Sequence, residues 1–270
     1  MAGTALRKSA KYAFIGKITL RNQLAYIVDF LIRSLFLFLI LYIFLQLWQA
    51  TFHGEGSGSF ISGYNLKQIM WYLVITESMT LACPSLCSKI EEEVKNGDVG
   101  YRLVRPIHFI AFHYVEYMGE TVVRFSVNIV LGGLLGLLML GPPDLSFGYL
   151  WLPLAALFGF TVNFLMNMML ALCAFWVEET KGIEFVYNKI LFTIGGMLMP
   201  LELFPQALQA VAHWLPFQAI LYIPAKIAVA FDASQLAAMF AVQTLWIIVI
   251  GAVVAWIYRK GVTKLNVNGG

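Results

Sequence analysis

Charge is what this sequence lacks. Only 12% of its 270 residues are Asp, Glu, Lys or Arg, against about 25% in an average soluble domain. Meanwhile 60% are hydrophobic, and the mean hydropathy is +0.77. That balance excludes a water-soluble globular domain and points to an integral membrane protein. Cysteine is scarce as well. Cys83, Cys87 and Cys173 make no disulfide framework. Cys83 and Cys87, four apart on one helix face, supply too few ligands for a metal and read as small packing residues. No segment matches G-x-x-x-x-G-K-[ST], whose backbone would cradle phosphates. Gly3 to Lys8-Ser9 carries only its end, with Arg7 in place of the second glycine. A P-loop is therefore excluded. No nucleophile–base pair or metal cluster stands out, so the chain is not read as an enzyme, and nothing suggests a nucleic-acid partner.

Long apolar runs are what it has. Residues 1–22 alternate Arg7, Lys8, Lys11, Lys17 and Arg21 with Leu6, Tyr12, Phe14, Ile15, Ile18 and Leu20. This predicts an amphipathic helix with stems in lipid and charges in headgroups. The basic region is too long, and no A-x-A site follows, for a cleavable signal. Six spans are expected, because about 20 residues cross a ~30 Å core. They run from Phe30 to Trp48, Tyr64 to Cys83, Thr121 to Leu140, Tyr149 to Val177, Ile183 to Leu201 and Leu236 to Tyr258. Asp29 and Arg33, four apart, suggest an ion pair at the start of the first. Gly132 and Gly136 give the third a small-xxx-small packing face. Between spans five and six, Pro205, Pro216 and Pro224 break the pattern over residues 202–232. The expected form is a re-entrant or interfacial helical hairpin, Pro205–Trp214 then Pro216–Phe231, on the outer side.

A charged island, residues 84–106, interrupts the apolar pattern. Within it Lys89, Lys95, Arg102 and Arg105 accompany Glu91, Glu92, Glu93 and Asp98. Ile90 and Val94, four apart, predict a short amphipathic helix, and Asn96-Gly97 ends it. Such a helix in water is a docking surface. Lys and Arg counts orient the chain. Six fall from the N-terminus to Arg33, four in the island, two in the Glu178–Lys189 region and three in the tail, which is 15 of 18 on one side. By the positive-inside rule that side, with both termini, is cytoplasmic.

These features together resemble permeases of type-2 ATP-binding-cassette exporters, in particular a bacterial subfamily with short six-span subunits. Gly97-Asp98 through Leu103 to Arg105-Pro106 resembles that subfamily's loop after span two. Arg259-Lys260-Gly261 through to Gly269-Gly270 resembles its basic, glycine-ended tail. Asn266-Val267-Asn268 departs from the usual serine-rich ending. The resemblance covers essentially the whole chain and rests on architecture more than on any short motif. It implies an all-α transmembrane domain over residues 1–270 in the bacterial inner membrane. It implies two copies of a separate cytoplasmic ATPase, which would hold the ATP and Mg, and a second permease subunit, identical or related. The island would be the coupling helix, with Glu91, Glu92, Glu93, Lys95, Asp98 and Arg102 as candidate ATPase contacts. It does not supply the cargo.

Other candidates come from polarity in the membrane. Ionisable groups there are costly and are usually paired or face a wet cavity. Glu77 and Arg124 have similar expected depths, so an interspan pair is predicted. His113, Glu116, Glu120 and Arg124, spaced three, four and four, share a helix face. They read as a charge ladder in preference to a metal site. Asn163 and Asn167, beside Met166, Met168 and Met169, either line a pathway or make interhelical hydrogen bonds. Glu202, Pro205, Trp214, Pro216 and Phe217 would form an outer gate, or else an interfacial anchor. An ion-coupled secondary transporter ranks second, since no repeat links 1–140 with 141–270. A structural anchor for a cytoplasmic partner ranks third.

Overall fold

The computed structural model describes residues 2–25, 27–53, 60–104, 107–144, 146–177 and 179–268. Side chains at 2–10, 23–35, 53, 103 and 264–268 stand outside the description, and with them the expected Asp29–Arg33 pair. Helix makes up 83%, and among the described residues there is no strand, as a bilayer's demand for internally satisfied backbone favours. Eleven α-helices follow in order among the described residues: α1 Ala2–Ala25, α2 Ile27–His53, α3 Leu66–Ala82, α4 Leu86–Lys95, α5 Asp98–Val104 and α6 Phe109–Leu140. After these come α7 Gly148–Ala171, α8 Lys181–Ile194, α9 Gln206–His213, α10 Tyr222–Val229 and α11 Ala233–Asn268. Among the described residues four stretches are long and apolar enough to cross a membrane: Leu66–Lys95, Phe109–Leu140, Gly148–Phe175 and Ala233–Thr263. A shorter apolar helix covers Phe36–Phe52.

Local chemistry sets several of these ends. Asn65 caps α3 by accepting from the Gln68 amide at 2.7 Å, while the Gln68 side chain accepts from the Asn65 amide at 3.0 Å. This is a capping box. Cys83, Pro84 and Ser85 then divide α3 from the charged α4. As expected, α4 closes at Asn96, and Gly97 follows at φ +76°, where a side chain would be strained.

Close approach governs the packing, because lipid offers apolar helices no reason to prefer one another and small residues let backbones meet. On α6, Gly132 faces Val74, Ser78 and Leu37, and Gly136 faces the Trp71 ring. The predicted small face is therefore the α3 contact. The N-terminal α1 runs beside the start of α6, with Gly16 against Val115 and Thr19 against Gly119. A Cβ on Gly148 would stand 1.8 Å from the Ile227 carbonyl oxygen, and one on Gly159 2.5 Å from that of Ile220. Residues 220–231 therefore lie along the first ~16 Å of α7.

Two expectations need correction here. Span five was placed at Ile183–Leu201, but α8 stops at Ile194, about 21 Å at 1.5 Å per residue. Gly195 ends it and Gly196 turns the chain at φ +74°, with the Tyr72 hydroxyl donating to the Gly196 carbonyl. The 202–232 region is also not two simple helices. The chain passes α9, a 3₁₀ turn at Pro216–Ala219 and α10. Seven of the eight residues of α10 are buried, packed on α7 and α3. Three prolines prevent longer helices, and Gln243 of α11 donates to the Ala155 and Ala219 carbonyls at 3.0 and 2.9 Å.

Candidate functional site: the charged island and the cavity above it

The island's six candidate residues divide between two faces of α4 and α5. Glu91 and Glu93 are buried. Glu91 accepts from the Thr180 amide and hydroxyl, each at 2.8 Å, and from Lys95 Nζ at 2.6 Å. The Lys95 hydrogen bond, followed by that of the Thr180 amide, pulls the Glu91 carboxyl down to about 2 against the opposing effect of burial. Glu93 meets Arg102 at 2.9 Å and His113 Nε2 at 3.3 Å. Burial works to raise its pKa. The hydrogen bond and charge of His113, with Arg102 and Lys89, outweigh that and leave it lowered. Glu116 reaches Lys89 at 2.6 Å and lies 3.8 Å from His113 Nδ1. Lys89, Glu116, His113, Glu93 and Arg102 thus form one chain of polar contacts clamping the island to the start of α6. Arg102 also stacks 4.6 Å over the Phe112 ring.

Facing outward are Glu92, Lys95 and Asp98. Two residues not picked from the sequence join them: Tyr101, 76% exposed, and Val104, 87% exposed. Their signal was an apolar i, i+3 pair inside a polar stretch. Thr180 was missed because nothing local marks it as the cap of a distant carboxylate. The His113 ladder cannot converge on one ion. Its ring nitrogens face two different carboxylates, and Glu120 is paired with Arg124 one turn on.

That last contact corrects the predicted Glu77–Arg124 pair. Asn128 Nδ2 donates to the Ser78 carbonyl at 3.4 Å, and this register carries Arg124 a turn beyond Glu77. Glu77 is buried, 1% exposed, with Oε2 left without a hydrogen-bond partner. Asn163 and Asn167 are engaged in a network. Asn163 Nδ2 donates to the Tyr117 hydroxyl and the Cys83 sulfur, each at 3.0 Å, and its Oδ1 accepts from Tyr187 and from Asn167 at 3.1 Å. The pair makes interhelical hydrogen bonds and also lines the cavity described below.

The gate candidates divide as well. Glu202 accepts from Tyr222 at 2.6 Å and from Lys226 at 2.5 Å. Pro216 and Phe217 are buried, with Phe217 6.0 Å from the Tyr187 ring. Pro205 begins α9 from the exposed side, and Trp214 at its end is 83% exposed.

Between α3, α7, α8 and Ile220–Leu221, which follow the Pro216–Ala219 turn, lies a cavity of about 330 Å³. Ser85, Glu184 and Asn188 line its island end, and Leu191, Phe192, Met197, Ile220 and Leu221 its far end.

Comparison with known proteins agrees with this architecture. Residues 36–269 match the model of a family described as ABC-2 family transporter protein. A Bacillus subtilis (strain 168) protein, YvfS, provisionally named a transport permease, is 24% identical over 131 residues. The match covers 47% of this chain and 51% of YvfS, so it spans about half the length of that relative.

Proposed function

The chain belongs to the ABC-2 family of transporter proteins, and from that premise we propose that it is the membrane-spanning permease subunit of an ATP-driven exporter. In this reading six segments cross the bacterial inner membrane with both termini cytoplasmic. The sixth crossing is reached through α8 and the re-entrant 202–232 segment. Residues 84–106 dock on a separate cytoplasmic ATPase, two copies per assembly, which holds ATP and Mg. A second permease subunit, this chain or a relative, completes the path.

One observation carries the reading. The island is braced from within by Glu91 and Glu93 and presents Glu92, Lys95, Asp98, Tyr101 and Val104 to water. A rigid helix with an exposed apolar pair and a polar rim is what a protein cleft would grip. The bracing gives a push on that face a route into α6.

The test is purification of the tagged chain from its host in nanodiscs, with mass spectrometry of its companions. A stoichiometric ATPase is expected. The Glu92→Lys, Asp98→Lys double variant should lose it while keeping the parent's melting temperature. If the chain emerges alone and transports in liposomes on an ion gradient without ATP, the reading is wrong.

A further inference from the structure

The 330 Å³ cavity has a direction. Its island end is polar and its far end is apolar, with Leu191, Met197, Ile220 and Leu221 as walls. Glu184 and Phe192, at opposite ends on α8, are eight residues apart, or about 12 Å. Its amides are not open hydrogen-bonding capacity, since Asn163 and Asn167 are bound to each other, to Tyr117 and to Tyr187.

Its two charged lining residues are Glu184 and Lys189. Lys189 contributes to the lining, but its ammonium lies 5.2 Å from the centroid of the Phe185 ring, and Phe185 is outside the cavity wall. Among the described residues the Glu184 carboxylate has one hydrogen bond, from the Ser88 hydroxyl at 3.4 Å. Among the described residues no cation stands within salt-bridge reach of it. An anionic mouth in front of an apolar chamber selects by both features.

We propose that this cavity binds the cargo, and that the cargo is an amphipathic organic cation. Its amine or onium group sits at Glu184 and its apolar body extends toward Ile220. This rests on the permease reading and deepens it, but its test needs no ATP. The chain, with whatever co-purifies, is held in nanodiscs and titrated by equilibrium dialysis with tetraphenylphosphonium. Tetraphenylborate, the same shape with opposite charge, is titrated alongside, and empty nanodiscs are subtracted. The phosphonium ion should bind saturably and at least tenfold tighter than the borate. It should also slow alkylation by N-ethylmaleimide of Cys83, which lines the cavity.

Glu184→Gln should weaken phosphonium binding at least tenfold. Asn188→Lys, at an exposed position on the rim, should do the same without disturbing the core. Equal affinity for the two ions overturns the proposal, as does phosphonium binding unchanged in both variants. If an ATPase co-purifies and the cation does not bind, this inference fails and the permease reading stands. If the cation binds and no ATPase is found, the reverse holds.

Discussion

Two segments are fastened to the helix bundle at its opposite ends, by different means. At the island end α4 and α5 are held by side chains gripping side chains: Glu91 on Thr180, Glu93 on Arg102 and His113, and Lys89 on Glu116. At the far end residues 196–229 are held largely through their backbone. Tyr72, Thr76, Gln68 and Gln243 donate to the carbonyls of Gly196, Met197, Val229 and Ala219. Gly148 and Gly159 leave no room for a Cβ, and the Glu202–Lys226 ion pair ties the segment to itself. A side-chain clamp can release and re-form at the cost of a few rotamers, whereas a backbone contact either fits or does not. The movable fastening is at the end proposed to meet the ATPase, and the fixed one forms a wall.

The sharpest way to break this comparison is Gly148→Val. The clash is with a backbone oxygen, so no rotamer relieves it. The expected loss is about 3 kcal/mol or more, seen as aggregated or low-melting protein in size-exclusion and thermal assays. Gly100→Val, on α5 with nothing within 4 Å of its Cβ position, should leave the fold intact. Second is Lys226→Met, which strands Glu202. The side chains are 17% and 29% exposed, so about 2 kcal/mol is expected in place of the full buried-pair penalty. The Lys226→Met, Glu202→Gln double variant should recover part of it.

Third is acid. Glu91 and Glu93 have folded pKa values below their ordinary ones. Their stabilisation is therefore present above about pH 4.5 and is lost as pH falls below it, for Glu91 as pH approaches about 2. The melting temperature of the parent should drop on acidification from pH 5 to 3. Glu91→Gln should melt lower at pH 7, by about 1–2 kcal/mol, with a flatter dependence. An unchanged slope would mean the island clamp is not what holds α4. Least is Lys67→Ala. The Lys67–Asp144 pair at 3.2 Å is 32% and 59% exposed, and its loss should cost under about 1 kcal/mol.

What could be read from the sequence followed local pattern. Ile90, Val94 and Gly97 announced α4 and its end, and Gly132 with Gly136 announced the α3 contact, because helical periodicity and glycine are local properties. The proline-broken stretch before α11 was recognisable as irregular. Its depth was not, because the contacts that draw Ile220 and Ile227 onto Gly159 and Gly148 are set by tertiary approach of two backbones. For the same reason Glu77 and Arg124 looked like partners. Depth along the chain can be counted, but the α3–α6 register, fixed by Asn128 on Ser78, cannot. The island's charges were visible as a set. Which of them turn inward depends on Thr180 and His113, 89 and 20 residues away from Glu91 and Glu93 respectively. Span five looked long enough because Gly195-Gly196 sits inside an apolar run, and only the Tyr72 contact makes it a corner.

Helix α6 is a single rod of 32 residues, about 48 Å long. Glu116 joins it to the island near one end, and Gly132 seats it on α3. Measured along the rod, the island lies about 24 Å from that seat and the tip at Leu140 about 12 Å on the other side. A rod tilting about such a fulcrum halves displacement and reverses its sign. A 2 Å pull on the clamp emerges as about 1 Å at the far tip, in the opposite direction and with about twice the force.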